Sequence, residues 1–304
     1  MDNLAEILVT PRLASIGMAG LTANLEPVPP YAFVLDRGMD PEERLENAIL
    51  WKTLKDRAGS QIKAYDDLSK VPDSVTHIFG RAGHRSDLFR EGLTYPGPME
   101  KTLPYWTVPG FLELAGRSIK LCDLDQADAE VQRLHLDGKD AFVKATRDKY
   151  FTKQVPVGTS LWQALDAMVY SFIDEQACLL VQEYVEMTYE YRLFVVDGQV
   201  VTGAGCIPWK TPLDNTALYD PAMIEHRGNN KVGGPAMSNL RLDQYLAFAS
   251  EAVDRLGGGS FVLDIAMING DVGIVELNPM RLGQVGIYAA NVRALVDAVL
   301  NRFG

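Results

Sequence analysis

Histidine and cysteine are scarce in this chain. Its four histidines, His77, His84, His135 and His226, are scattered over 304 residues. None falls at ligand spacing from another, which argues against a histidine-built metal site. Three cysteines, Cys122, Cys178 and Cys206, are odd in number and far apart. They fit neither a disulfide framework nor a metal cluster, so reduced thiols are expected. No apolar run approaches the roughly 18 residues of a membrane span. The opening Met1-Asp2-Asn3-Leu4-Ala5-Glu6 lacks the basic start of a signal peptide. Basic residues are outnumbered, 29 Lys and Arg against 40 Asp and Glu, for a net charge of −11. That balance argues against a broad nucleic-acid footprint but leaves room for a local basic pocket. The expectation is a soluble cytoplasmic protein with neither nucleic acid nor membrane as partner. Apolar residues make up 47%, which excludes a disordered chain, and the length allows two or three subdomains.

The most informative stretch runs from Phe261 to Pro279, F-V-L-D-I-A-M-I-N-G-D-V-G-I-V-E-L-N-P. It reads as two strands joined at Asn269-Gly270, both of which tolerate positive φ. Alternation puts Glu276 and Asn278 on one face, and the hairpin can bring Asp264 beside them. Three oxygen-bearing side chains then converge in apolar strands. Hard oxygen donors suit Mg²⁺, which takes one or two carboxylates and completes its shell with water and phosphate. The plain alternative is a hairpin with a wet polar face.

Other elements can be placed along the chain. Short strands are expected at Ala5–Val9, Tyr31–Leu35 and Thr76–Phe79. Asp40-Pro41-Glu42-Glu43 opens a helix with Leu45, Ile49 and Leu54 on its apolar side and Gly59 at its end. Residues 80–109 read as a long connector, locally basic through Arg81, His84, Arg85 and Arg90. Ala141–Ala145 is a strand carrying one lysine, Lys144, with Thr152–Val157 as its partner. Ser160 and Gln163 form a capping box for a helix reaching Glu175. Cys178–Val185 is a buried strand, and Tyr191–Ala204 a hairpin turning at Asp197-Gly198. Pro208–Gly234 is a polar loop with Trp209, Lys210, His226 and Arg227. Helices follow at Leu242–Leu256 and Ala289–Asn301.

In this order the strand lysine Lys144, the acid-bearing strand Gln182-Glu183-Tyr184-Val185, Glu190, Arg192 and the Asp264, Glu276-x-Asn278 hairpin resemble the ATP-grasp superfamily. The resemblance covers about Asp140 to Asn278. It rests on spacing too: Glu190 follows Glu183 by seven positions, and Glu276 follows Asp264 by twelve. The tail E-L-N-P-M-R-L-G-Q-V-G-I-Y is similar to a phage and bacterial clade of that superfamily. The resemblance implies an α/β (α+β) ATP-grasp fold. An N-terminal α/β domain would span 1–105, a small lid-like central subdomain 106–183, and a mainly antiparallel C-terminal sheet with helices 184–304.

It also implies ATP and Mg²⁺ as cofactors, with Mn²⁺ as an alternative ion. Lys144 would contact phosphates, and Gln182, Glu183, Tyr184 and Val185 would form the hinge beside adenine. Glu190 would bind the ribose hydroxyls. Asp264, Glu276 and Asn278 would hold the metal. Arg192 would serve a phosphate or a substrate carboxylate; its plain alternative is an ion pair with Glu190. Arg281 would stabilise an acyl phosphate. The earlier lysine common in the family would be Lys101 or Lys120, with Lys101 the better fit by spacing. The chain departs from the family after Lys144, where Thr146–Lys153 has no glycine, so Arg147, Lys149 or Lys153 would replace backbone cradling.

The implied reaction joins a small-molecule or peptide carboxylate to an amine through an acyl phosphate, giving ADP and phosphate. A kinase on the same scaffold and a nucleotide-binding regulatory protein without turnover stay open, as does a homodimer.

Overall fold

The computed structural model describes residues 28–35, 41–81, 105–146, 152–165, 178–205, 239–283, 285–287 and 290–303. The elements in chain order are β1 (Tyr31–Leu35), α1 (Pro41–Ala58), β2 (Ile62–Tyr65), β3 (His77–Arg81), the single-turn α2 (Phe111–Leu114), β4 (Ile119–Cys122) and α3 (Leu124–Leu136). Next come β5 (Ala141–Ala145), β6 (Thr152–Val155), the single-turn α4 (Leu161–Ala164), β7 (Leu179–Glu183), β8 (Met187–Val196) and β9 (Gln199–Gly205). The chain closes with α5 (Asn239–Arg255), β10 (Phe261–Ile268), β11 (Asp271–Pro279) and α6 (Val292–Phe303). The strand expected at Ala5–Val9, the continuation of the 160–175 helix, the basic connector residues after Arg81, Lys101, Arg147, Lys149 and the 208–234 loop lie outside the described residues.

Three sheets organise the chain. The first is parallel, in the order β2-β1-β3. The second is antiparallel, β4-β7-β5-β6, and the third is antiparallel, β11-β10-β8-β9. The two expected tight turns have the geometry their residues allow: φ is +50° and +74° at Asp197-Gly198, and +54° and +93° at Asn269-Gly270.

One large core joins the first and third sheets. Phe33, Leu50, Leu54 and Phe79 pack in one cluster with Phe194, Leu263, Leu295 and Val299. Helices α1 and α6 meet at this seam, where Arg57 pairs with Asp297. Helix α6 buries Val292, Leu295, Val296 and Val299 at helical spacing. Along α1 the buried stripe is Ala48, Leu50, Leu54 and Ala58, so Leu45 and Ile49 sit at its margin. A second contact at the seam is closer. The Gly80 N–H donates to Leu282 O at 2.8 Å, and a methyl on Gly283 would sit 2.4 Å from Gly80 Cα.

The second sheet has its own small core, with Val131, Leu134, Val143, Leu161 and Val181 among its members. Helix α3 covers one face of that sheet, capped by the Asp123 carboxylate, which accepts from Gln126 N–H at 2.8 Å. The other face turns toward the third sheet.

Candidate active site

Strand β10 runs between β11 and β8, and Asp264 lies directly opposite Glu276 on one side and Arg192 on the other. Directly opposed residues share a face, so three charged side chains stand in one row across the sheet. Arg192 grips Asp264 with a bidentate fork, Nε to Oδ1 and Nη2 to Oδ2, both at 2.7 Å. Asp264 is wholly buried and Arg192 nearly so. The remaining guanidinium edge donates to Gly286 O at 3.0 Å. Arg192 therefore pairs across the sheet with Asp264. Asn278 bridges the carboxylates, its Nδ2 donating to Asp264 Oδ2 at 3.2 Å and to Glu276 Oε1 at 3.1 Å.

The second sheet supplies the next charge. Lys144 Nζ donates to Glu276 Oε2 at 3.0 Å and to the Tyr105 hydroxyl at 3.3 Å. Burial alone would lower the Lys144 ammonium, but Glu276 and Tyr105 outweigh it and hold its pKa above the ordinary lysine value. Burial likewise pushes the Glu276 carboxyl up. Lys144, with the Asn278 amide, overcomes this and leaves it below the ordinary value. Both shifts favour the ionised pair: it is lost only as pH falls through the Glu276 pKa or rises through that of Lys144. The result is a continuous alternating chain, Lys144, Glu276, Asn278, Asp264, Arg192, running from one sheet into the next.

Register decides what lies beside Lys144. Lys144 faces Leu180, Phe142 faces Gln182, and Gln182 faces Ile119, so these side chains share the cleft side. Leu180 is buried, while Ile119 and Phe142 are partly open, giving the lysine apolar neighbours. Glu183 lies on the opposite face, level with Ala141, and pairs with Lys139 at 3.0 Å. Lys120 is also on that face and binds Glu130 at 3.0 Å, away from the cleft. Lys153, level with Val143, is there too.

At the expected hinge, two backbone donors are already used: Glu183 N–H to Ser118 O at 3.0 Å and Tyr184 N–H to Asp140 O at 2.8 Å. Tyr184 is exposed and Val185 partly so. Glu190 sits in an irregularity of β8. Ile265 pairs Tyr191 and Met267 pairs Thr188, so Ala266 spans both Tyr189 and Glu190. Tyr189 takes φ +53° there, its carbonyl accepting from the Tyr245 hydroxyl at 2.7 Å. Arg281 is half-buried in the turn after β11, where its N–H donates to Pro279 O at 2.8 Å.

Sequence reasoning missed Tyr105 and Arg117. Tyr105 belongs to a 3-10 turn, Tyr105–Thr107, and stacks edge-on against Phe111. The run of Tyr105, Trp106 and Phe111 in the Pro-rich connector was the available signal. Elsewhere, an apolar cavity of about 50 Å³ lined by Tyr191, Val201, Leu242 and Tyr245 lies beneath α5; no charged side chain lines it.

The donor set fits a hard cation beside phosphate. Two carboxylates and an amide form one hydrogen-bonded cluster, flanked by a lysine and an arginine. Among the described residues no group of three His, Cys, Asp or Glu is placed to hold a metal; the cluster here is two carboxylates and the Asn278 amide. Asp264 is committed to the Arg192 fork, and Glu276, a quarter exposed, is the carboxylate that faces the cleft.

A family profile described as an ATP-grasp domain, the second family of its clade, matches residues 114–298. The chain belongs to this ATP-grasp family. The match begins upstream of Asp140 and takes in β4 and α3. A search of curated proteins returned no match. Among solved structures, the chain is similar to a RimK domain protein ATP-grasp from Sphaerobacter thermophilus, with TM-score 0.53 and 15% identity over 89% of this chain and 99% of that one. It is also similar to the D-alanine–D-alanine ligase of Bacillus anthracis complexed with ATP, at TM-score 0.53 and 11% identity over 90% and 97%. The ATP-grasp ligase PsnB complexed with a minimal precursor gives TM-score 0.51 and 14% identity over 90% and 99%. At these identities the likeness shows the fold. Among the described residues no helix is long and apolar enough to cross a membrane.

Proposed function

We propose that the chain is an ATP- and Mg²⁺-dependent ligase that joins a carboxylate to an amine through an acyl phosphate. The observation that carries this reading is the alternating chain from Lys144 to Arg192, which faces two sheets of an ATP-grasp fold. Residues 106–183 act as the lid-like unit between an N-terminal domain and the C-terminal sheet. Lys144 holds the β- and γ-phosphates after exchanging its contact with Glu276. Glu276, Asn278 and Asp264 would hold Mg²⁺ or Mn²⁺, which would supply positive charge against that developing on the transferred phosphoryl group. Gln182 to Val185 border the adenine, Glu190 takes the ribose hydroxyls, and Lys101 supplies a second phosphate contact.

In the first step an oxygen of the substrate carboxylate bonds to the γ-phosphorus as the bond to the β-phosphate oxygen breaks, releasing ADP. In the second, the amine nitrogen bonds to the acyl carbon, loses a proton, and expels phosphate. Arg281 stabilises the oxyanion, and Arg192 keeps Asp264 aligned and ionised. No protein nucleophile is required. The fold is shared with a D-alanine–D-alanine ligase and with PsnB solved with a minimal precursor, and a small-molecule or peptide carboxylate as substrate is consistent with that likeness.

The purified chain should release ADP with Mg²⁺ only when an acid is present, and form a condensation product when an amine joins it. Lys144→Ala and Glu276→Gln should each lower turnover by about 100–1,000-fold. Formation of AMP and pyrophosphate, or of a stable phosphorylated product without free phosphate, would overturn the ligase reading.

A further inference from the structure

Arg117 lies just before β4, and its guanidinium makes four hydrogen bonds, none to a carboxylate. Nε donates to Gln182 Oε1 at 3.0 Å, Nη1 to Ala115 O at 2.9 Å and Ile274 O at 2.6 Å, and Nη2 to Val275 O at 2.9 Å. The last two acceptors are consecutive carbonyls of β11. In a regular strand consecutive carbonyls point to opposite sides. Here the register slips: Asp264 pairs Glu276 and Ile265 pairs Ile274, so Val275 is an extra, bulged residue. The bulge brings both carbonyls within reach of one fork, and the next residue is Glu276.

A bulge re-aims the side chains beside it. Without the extra residue, Glu276 and Asn278 would change face relative to the rest of β11, because the strand period is two. The other end of the fork holds Gln182, a buried side chain on the cleft face of β7. One side chain thus ties the strand beside the proposed nucleotide site to the bulge that aims the cleft carboxylate. Burial pushes the Arg117 guanidinium down to about 10, with Tyr105 and Glu276 opposing. A charge held against that penalty by four neutral carbonyl oxygens, with the Glu276 carboxylate nearby, is more than a space filler.

We propose that Arg117 is a positioning residue: it clamps the β11 bulge so that Glu276 faces Lys144, and it couples that aim to Gln182 on β7. The inference rests on the reading of this cleft as a Mg²⁺-nucleotide site.

The test uses the full chain, titrated calorimetrically with ADP in chelator and with AMPPNP plus Mg²⁺, alongside hydrogen exchange over 271–279. Arg117→Met should weaken Mg²⁺–AMPPNP binding about 10–100-fold. Metal-free ADP affinity should fall less than this, through the lost Gln182 contact alone, and exchange over 271–279 should accelerate. Arg117→Lys, which can reach one carbonyl but cannot form the fork, should show a smaller loss of the same kind. Adding Glu276→Gln to Arg117→Met should weaken binding less than Glu276→Gln does alone. Unchanged metal-dependent binding and unchanged exchange in Arg117→Met, or in Arg117→Lys should the first variant not fold, overturn the proposal. So does an equal loss with and without Mg²⁺, which would make Arg117 a general scaffold group. A wild-type chain that binds neither nucleotide overturns the functional reading instead, and the exchange experiment then decides on Arg117 alone.

Discussion

Asp264 and Arg192 form a nearly desolvated ion pair in the middle of a sheet, 72 positions apart in the chain. Such a pair adds little net stability compared with well-packed apolar residues, but losing one partner strands the other's charge. Asp264→Ala should therefore destabilise the chain by about 3–5 kcal/mol, read from urea unfolding at neutral pH. The double change Asp264→Leu with Arg192→Met should recover most of that loss. Asp264, expected from the sequence at a metal, is in the folded chain also the partner of an arginine. A sequence shows a carboxylate in an apolar strand. It does not show which strand will lie beside it.

At the level of elements, the chain was readable where local chemistry and pattern agreed. The hairpin of β10 and β11 declared itself through Asn269-Gly270 and its alternating residues, and its turn has positive φ at both positions. Gly270→Ala tests that agreement cleanly. Nothing lies within 4 Å of the added methyl, so the penalty is one of backbone conformation alone. It should amount to about 1–2 kcal/mol, measured by thermal or urea unfolding. Helix α3 went unread because its sequence, LDQADAEVQRLHL, offers few large apolar residues. Its inward side is Ala127, Val131 and Leu134, together with Glu130, a buried carboxylate held by Lys120 and Arg133. Strand β4, IKLC, is too short and too charged to declare itself. Arg117 was illegible for a different reason. Its partners are mostly backbone carbonyls, which every residue presents, so no partner pattern marks it.

The whole molecule has its stability divided unequally. The first and third sheets share one continuous core, while the second sheet packs with α3 around its own. The polar links between them described above, Arg117 and the Lys144–Glu276 pair, are few. A cavity cut into the small core should therefore be felt locally. Leu134→Ala should speed hydrogen exchange across 119–183 while leaving the protected amides of β1, β10 and α6 near their wild-type rates. A uniform loss of protection over the chain would show that the sheets open together. The net charge of −11 is compatible on this scale with Lys144, Arg192 and Arg117 standing together at the cleft.

The contact between Gly80 and Gly283 bears on how this architecture can be diversified. The family match starts at residue 114, so the first sheet lies outside it, yet that sheet meets the turn after the Glu276-x-Asn278 strand with no room for a methyl group. A graft that exchanges the N-terminal sheet must bring its backbone against Gly283 as closely as Gly80 does, with Gly283 kept a glycine. If it does not, the turn shifts and takes with it Arg281, whose neighbours in sequence are Met280 and Leu282. Position 283 therefore decides how closely an N-terminal sheet can approach this turn, while a methyl on Gly80 would meet Val34 O of its own sheet at 2.3 Å.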